Sequence, residues 1–166
     1  MNFGALISTL ETELVVYKKF EEIEGEKTAV IIEGEIEKLD GILNVEQMLQ
    51  MKLQDVEKKR INSMRTLGLG EKTLAAVIEL ADGEEKKKLS GLLEDLNICI
   101  DALKLINERN TKLVMARLDV ISSVTKLFKE PGAGAKGSGN EKIYGKNAKV
   151  LDSSKEFEPS VIHKKI

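Results

Sequence analysis

The chain has 166 residues, of which 42% are hydrophobic and 33% charged but only 4% aromatic, and its formal net charge is −2. Abundant Leu, Ile, Lys and Glu are typical of long packed helices, and the weak net charge argues against nucleic acid as the main partner. One Cys excludes a disulfide framework. We expect neither a signal peptide nor a membrane span, since no apolar run approaches the ~18 residues that a span needs. We therefore expect a cytoplasmic protein without membrane insertion.

Two amphipathic helices are predicted in the first third of the chain. The first covers residues 3–32, where apolar side chains recur at helical spacing on one face. Glu33-Gly34-Glu35 is the expected turn, with Gly34 just past the helix end, and Asp40-Gly41 is the alternative. The second helix covers about residues 36–67. In it Glu57 and Arg60 are neighbours on one face, which predicts a salt bridge between helices that fixes their register.

A long third helix dominates the rest of the chain. Gly68-Leu69-Gly70 ends the second helix, residues 71–81 can form a short helix, and the long helix begins at Glu84 or Glu85 and ends near Lys129. Steps of three and four residues define a seam along it, apolar at ten of its twelve positions. The seam positions are Leu89, Leu92, Leu96, Cys99, Leu103, Ile106, Asn110, Leu113, Arg117, Val120, Val124 and Leu127.

These elements predict an all-α fold, an antiparallel bundle of three long helices with a short connecting helix and a flexible C-terminal tail. The predicted domains are a helical bundle over residues 1–130 and a tail over residues 131–166. At about 1.5 Å per residue the third helix spans about 68 Å, whereas the first two span about 45–48 Å. Part of the third helix must therefore extend beyond its partners, unless the short helix or a second copy of the chain covers it.

The tail differs from the body in composition and charge. A Gly-rich linker follows Pro131, and residues 131–166 carry seven Lys against four acidic residues, which leaves a net charge of −5 on residues 1–130. Ile143-Tyr144-Gly145 and Val150-Leu151 form a small apolar island. We expect this segment to be disordered or to fold on a partner, and a tail without function is the alternative.

The residues for catalysis or metal binding are missing from the sequence. With one His, His163, and one Cys, Cys99, the chain lacks the usual zinc ligand sets, and it has no Glu-x-x-His pair and no phosphate-binding glycine loop. The seam position of Cys99 predicts a buried, inert thiol. We therefore expect no enzyme, no cofactor and no metal. Binding through helices remains, with the exposed end of the third helix as the anchor.

The chain resembles the FlgN family of flagellar type III export chaperones through short segments in the same order. They are Leu6, Leu10, Glu13 and Tyr17; Glu26-Lys27 before Ile31-Ile32; residues 34–39; residues 57–60 followed by residues 67–69 and Thr73-Leu74; and residues 105–110 with Leu113. A linker and a Tyr-Gly-Lys tail come next, without the aspartate that the family pattern has between Tyr144 and Gly145.

The resemblance implies a cytoplasmic chaperone that binds hook-associated (hook–filament junction) proteins and delivers them to the flagellar export apparatus. Family members grip the cargo with the C-terminal part of the last long helix and the residues after it. The partner-binding residues expected here are Asn107, Asn110, Leu113, Val114, Arg117, Val120, Ile121, Val124, Leu127, Phe128 and Tyr144. Alternatives are a structural coiled coil that closes a homodimer through helix three, and an export chaperone for another flagellar cargo.

Overall fold

The structure is a computed structural model that describes residues 2–129; the predictions for the linker, for Tyr144 and for the rest of the tail lie outside the described residues. It has four helices, α1 (Gly4–Glu33), α2 (Ile36–Thr66), α3 (Leu74–Ile78) and α4 (Gly83–Lys129). The prediction of an all-helical fold is confirmed. The three long helices begin and end within two residues of the predicted positions, whereas the short helix is confined to five residues.

The turn between α1 and α2 is formed at Gly34. Its φ of 82° lies in the left-handed region that favours glycine, and its N–H donates to the carbonyl of Val30 at 2.9 Å, which closes the end of α1. The prediction of this turn is confirmed. The alternative turn at Asp40-Gly41 is wrong, because Gly41 lies inside α2.

Helix α1 packs against both other long helices. Against α2 the chain direction is reversed, since Lys27 Nζ lies 2.8 Å from Glu46 Oε1 whereas Glu13 lies opposite Arg60. Helix α4 runs in the same direction as α1: Glu85 accepts from the backbone of Phe3, and Asn110 meets Thr28. Within residues 2–129, α2 and α4 make no close backbone approach. The contacts thus show that α2 and α4 both pack on α1. The exact antiparallel arrangement of three long helices stays a prediction.

The apolar core lies at the end of the molecule where α1 and α4 begin and α2 ends. Leu6, Leu10, Val77 and Leu89 are fully buried there, and each contributes roughly 1.5–3 kcal/mol by leaving water. Helix α3 packs on α4 and closes this end; its N-cap Thr73 accepts from the backbone N–H of Ala76 through Oγ1. The core therefore fixes the first half of α4.

Arg60 joins α2 to α1 through two carboxylates. Its Nε and Nη2 donate to Glu57 of the same helix, both at 2.7 Å, and its Nε lies 3.8 Å from Glu13 Oε2 of α1. The ion pair between helices that we predicted is therefore made by Arg60 with Glu13, and Glu57 is its partner within α2. Among the four described helices, none has the length and apolarity to cross a bilayer.

Candidate functional site

Burial along α4 changes after Leu103. From Leu89 to Leu103, five side chains of the seam face are buried against the rest of the fold: Leu89, Leu96, Cys99, Ile100 and Leu103. From residue 104 to residue 129, Asn110 is the single buried side chain of the helix. The second half of α4 is therefore held near Asn110, with Ile106, Asn107 and Leu113 half-buried, and its remaining side chains are exposed.

Asn110 anchors α4 to α1 through three hydrogen bonds. Its Nδ2 donates to the backbone carbonyl of Glu24 at 3.1 Å and to Glu24 Oε2 at 2.9 Å, and its Oδ1 accepts from Thr28 Oγ1 at 2.6 Å. Asn110 is 3% exposed and Thr28 is equally buried. Because buried polar groups need partners, one register of α4 on α1 satisfies all three residues, and a shifted register leaves them unpaired.

Asn107 lies one turn before Asn110 and faces the same carboxylate. With its amide nitrogen turned toward Glu24, it donates to Oε2 at 2.8 Å and to Oε1 at 3.1 Å. Burial raises the pKa of Glu24, an effect opposed by Lys27 and reinforced by Glu46. Asn107 and Asn110, which both belong to the segment 105–110 that resembles the family, thus donate hydrogen bonds to the buried carboxylate of Glu24.

Arg117 closes the junction between the two helices. Its Nη2 donates to the backbone carbonyl of Ile32 in the last turn of α1. A guanidinium at a helix C-terminus pairs with a free carbonyl and with the negative end of the helix dipole. The guanidinium also lies directly over Gly34, where a Cβ would collide with it. Helix α1 therefore ends opposite Arg117.

Beyond Arg117, α4 continues without cover from any described residue. We call residues 118–129 the α4 overhang; these twelve residues extend about 18 Å. Its apolar side chains on the seam face are largely exposed: Val120 62%, Ile121 56%, Val124 46%, Leu127 75% and Phe128 87%. They continue the heptad spacing of the buried seam, so the overhang presents an apolar stripe on the face that meets α1 earlier in the helix.

The predicted partner-binding residues fall into three groups. The first group lies together on the overhang and consists of Val120, Ile121, Val124, Leu127 and Phe128. The overhang is bordered by Leu113, which is half-buried, and by Val114, which is 38% exposed. Asn107, Asn110 and Arg117 are engaged with α1. Tyr144 lies outside the described residues. Their binding of a partner stays a prediction. Ile32 and Ile36, 58% and 71% exposed beside the turn, were not predicted as site residues, because exposure at a helix end depends on where α4 passes.

Cys99 is placed as the seam predicted. Its side chain is 5% exposed, and burial raises the pKa of its thiol, which lowers the fraction of reactive thiolate at neutral pH. The prediction of a buried Cys99 is confirmed. The part of α4 that is open to other molecules is apolar and lies more than three turns beyond this cysteine.

Comparison with known proteins identifies the family. The family model described as FlgN protein matches residues 1–151, which include all four helices. No curated protein and no solved structure matches the chain. The matched segment is the greater part of the sequence and includes the polar junction and the exposed end of α4. The chain belongs to the FlgN family, the chaperones of flagellar protein export.

Proposed function

We propose that this protein is a cytoplasmic chaperone that binds hook-associated proteins through the C-terminal part of α4 and delivers them to the type III export gate. Family membership supports the chaperone class and hook-associated proteins as the kind of cargo. The observation that carries the proposal is the α4 overhang. It bears an exposed apolar stripe because α4 extends beyond the end of α1, the helix on which it packs.

The overhang has the properties of a helix-binding surface. A helix in a soluble fold ordinarily buries its apolar stripe against a neighbour, yet the neighbour α1 ends opposite Arg117. An incoming amphipathic helix would take the position along the overhang that α1 occupies in the first half of α4. Leu113 and Val114 would form the near end of that surface, and Phe128 the far end.

Coupled folding would limit the affinity of this complex. A cargo segment that is disordered before export orders on the stripe, and this ordering costs several kcal/mol of the interaction energy. Moderate affinity permits release at the gate. Arg117 would add register and polarity at the near end of the stripe, and Asn107 and Asn110 would act by holding α4 on α1.

The remaining chain would serve as scaffold and tail. In this proposal residues 1–130 form an antiparallel bundle of three long helices with the short helix at its closed end. Residues 131–166 would be a separate tail. Tyr144 in the apolar island of the tail would add a contact to the cargo or to the export apparatus.

The test is binding of purified hook-associated proteins to the full chain and to variants of the stripe. We expect Val120→Asp with Val124→Asp to weaken binding by at least about 100-fold, because two apolar side chains that the cargo would bury become carboxylates. The matched control is Met115→Asp with Ser122→Asp, which places two carboxylates on the opposite face of the same helix. Circular dichroism checks that both variants stay helical.

The outcome separates the two functions. Loss of cargo in the stripe variant but not in the control supports the chaperone proposal. Unchanged cargo affinity in the stripe variant contradicts the proposed site. If the full chain binds no hook-associated protein and recovers only itself, the structural coiled coil that self-associates through helix three takes its place.

A further inference from the structure

We propose that a segment of the tail docks on the turn between α1 and α2 of the same chain. The segment is residues 142–151, which contain the apolar island and its lysines, and we call it the island segment. The receiving surface is made of residues 32–40 and Leu43, and we call it the turn surface. It is not part of the α4 stripe, so the proposal does not depend on cargo binding.

The turn surface presents apolar side chains that no described residue covers. Ile32 at the end of α1 is 58% exposed, and Ile36 and Leu43 of α2 are 71% and 45% exposed. Ile36 and Leu43 are seven residues apart and therefore lie on one face of α2, with the half-buried Leu39 between them. The surface thus offers exposed apolar area from two helices at one end of the molecule.

The charges of the turn surface are mostly negative. Residues 32–43 contain four acidic residues and one Lys, a net charge of −3, and that Lys38 is paired with Glu35. Helix α1 has no basic residue in its last turn, so Arg117 of α4 is the cation that meets the negative end of its dipole. With Arg117 included the net charge is −2, and the turn surface should attract a further cation.

The island segment has the complementary composition. Between residues 142 and 151 there are three lysines and no acidic residue, a net charge of +3. Because basic side chains surround apolar ones in the segment, and acidic side chains surround apolar ones on the turn surface, charge and apolar contact favour the same pairing. The apolar side chains of the segment are Ile143, Tyr144, Val150 and Leu151.

The length of chain between α4 and the island segment fits this site. Helix α4 ends at Lys129, about 18 Å beyond Arg117, which contacts the turn. Residues 130–142 connect Lys129 to Ile143 and include four Gly. A Gly-rich connection of this length has a root-mean-square span of about 20 Å. A tether whose span matches the distance gives the highest effective concentration of the tethered group, so the turn surface lies where the island segment reaches it most easily.

Two other surfaces suit the island segment less well. Residues 111–129, which include the stripe, contain four cations and one Asp, a net charge of the same sign as that of the segment. The groove between α3 and α4 is acidic, but its Glu79 and Asp101 are already paired with lysines. Asp101 also lies about 42 Å from Lys129 along α4, about twice the span of the tether.

Docking would withhold Tyr144 from other molecules. A partner that contacts Tyr144 must first displace the island segment from the turn surface, and its apparent affinity falls with the fraction of chain in which the segment is free. The apolar side chains of the stripe do not belong to the turn surface. Access to the tail and access to the stripe are therefore separate in this arrangement.

Paired cysteines in the full chain test the position of the island segment. Ala148→Cys places a thiol in the segment, and Asn44→Cys places one next to Leu43; both keep the apolar side chains. A short bifunctional thiol reagent should join these two within one chain at least about 10-fold faster than it joins Ala148→Cys to Met115→Cys. Met115 is exposed on the outer face of α4 and lies nearer to Lys129, so tethering alone favours this control.

The crosslinked products decide the proposal directly. Equal rates at Asn44→Cys and Met115→Cys overturn it, because the segment then has no preferred site. Crosslinks that form only between chains, as mass spectrometry of the products shows, overturn docking within the same chain. The parent chain, whose Cys99 is buried, gives the background.

Charge reversal tests the recognition while the tether stays the same. Glu33→Lys with Asp40→Lys should slow the crosslink to Asn44→Cys by at least about 10-fold. Both substitutions suit a helix, because a cation is favoured at the end of α1 and Lys is a better helix former than Asp inside α2. The control is Glu94→Lys with Asp95→Lys, which makes the same change of charge at exposed positions of α4.

A charge swap completes this arm. Lys142→Glu, Lys146→Glu and Lys149→Glu, combined with the reversed turn surface, should restore the rate of the parent pair. A rate that the reversal leaves unchanged, or that the swap fails to restore, overturns the proposal. Circular dichroism checks that each variant stays helical.

Hydrogen exchange of the full chain gives a second measurement. Tyr144→Asp with Val150→Asp should speed exchange in residues 33–43, because the island segment no longer covers them, and should leave exchange between Leu89 and Leu103 unchanged. Equal exchange of residues 33–43 in the parent and variant chains overturns the docking. None of these experiments contains cargo, so their outcome is read separately from that of the proposed function.

Discussion

Arg117 of α4 donates a hydrogen bond to the backbone carbonyl of Ile32, and this contact marks the point where α1 stops covering α4. Before it, the seam of α4 is buried or half-buried; after it, the same heptad positions are exposed. The guanidinium satisfies a carbonyl that the helix end leaves free and sits over Gly34 in the turn. One side chain thus links the hairpin turn, the end of the core and the start of the overhang.

Replacement of Gly34 by Ala should destabilise the protein by about 1–2 kcal/mol. A Cβ at a φ of 82° is strained, and it would collide with the guanidinium of Arg117. Gly41→Ala is the matched control: Gly41 lies inside α2 with open space around it, so Ala should be neutral or stabilise by up to about 1 kcal/mol. Urea unfolding followed by circular dichroism measures both. Equal effects at the two glycines would contradict the role of Arg117 and the turn.

Asn110→Ala should lower the free energy of unfolding by about 2–3 kcal/mol. The substitution leaves the buried hydroxyl of Thr28 without its partner on α4 and removes the two hydrogen bonds that Asn110 donates to Glu24, whose carboxylate keeps Asn107. Asn97→Ala, at an exposed position of the same helix, should change stability by less than about 0.5 kcal/mol. The measurement is again urea unfolding, with the far-ultraviolet spectrum of the folded state as a check. A small effect of Asn110→Ala would show that apolar contacts alone hold this half of α4.

The sequence predicted the helices well, but it did not predict the contacts that their polar residues make within the chain. Helix bounds and the Gly34 turn follow from local periodicity and glycine chemistry, which need no knowledge of neighbours. Asn110 was visible as a polar break in an apolar seam, and we assigned it to partner specificity. That assignment stays a prediction. The partners of Asn110 within the chain, Glu24 and Thr28, are more than eighty residues earlier, and this pairing depends on the register of α4 on α1.

Glu13 is a second polar residue whose contacts could not be predicted from the sequence alone. In the sequence it is one of many Glu residues on a charged helix, and nothing local separates it from Glu11. The structure buries it to 8% exposure beside Arg60, because the α1–α2 register places these two residues opposite each other. The overhang, in contrast, could be predicted from helix lengths alone, since a helix of 47 residues cannot be covered by one of 30.

Stability should fall as the pH rises from about 4.5 to about 7. Burial, opposed by Arg60 and reinforced by Glu57, raises the pKa of Glu13 to about 7 from an ordinary 4.5. Between these values the folded chain binds a proton that the unfolded chain has lost, so the free energy of unfolding decreases with pH, by up to about 3 kcal/mol for this group. The pKa of Glu24 is also raised, and its contribution has the same sign.

Glu13→Gln should remove most of this pH dependence. The amide is neutral at every pH, so the variant should be more stable than the parent chain at pH 8 and similar to it at pH 4.5. Glu11→Gln, at an exposed position of the same helix, is the control and should keep the slope of the parent chain. Urea midpoints over this pH range give the comparison. A parent chain whose stability rises between pH 4.5 and 7 would contradict the raised pKa of Glu13.

Amide hydrogen exchange should divide α4 into a protected and an unprotected half. Amides from Leu89 to Leu103 lie under the buried seam and should exchange slowly, since they open only with the core. Amides of the overhang, residues 118–129, belong to a helix end without a neighbour within the described chain and should exchange much faster at low protein concentration. Exchange of the folded chain, measured by mass spectrometry on its short proteolytic peptides, resolves the two halves.

Occupation of the stripe should change only the second half. Adding a hook-associated protein should slow exchange in residues 113–129, because the cargo would bury the apolar side chains of the stripe. Exchange between Leu89 and Leu103 should stay unchanged, since that half is already packed on α1. The Val120→Asp and Val124→Asp pair should abolish this protection, and Met115→Asp with Ser122→Asp should retain it. Protection that appears instead in α2 or α3 would move the binding surface away from the overhang.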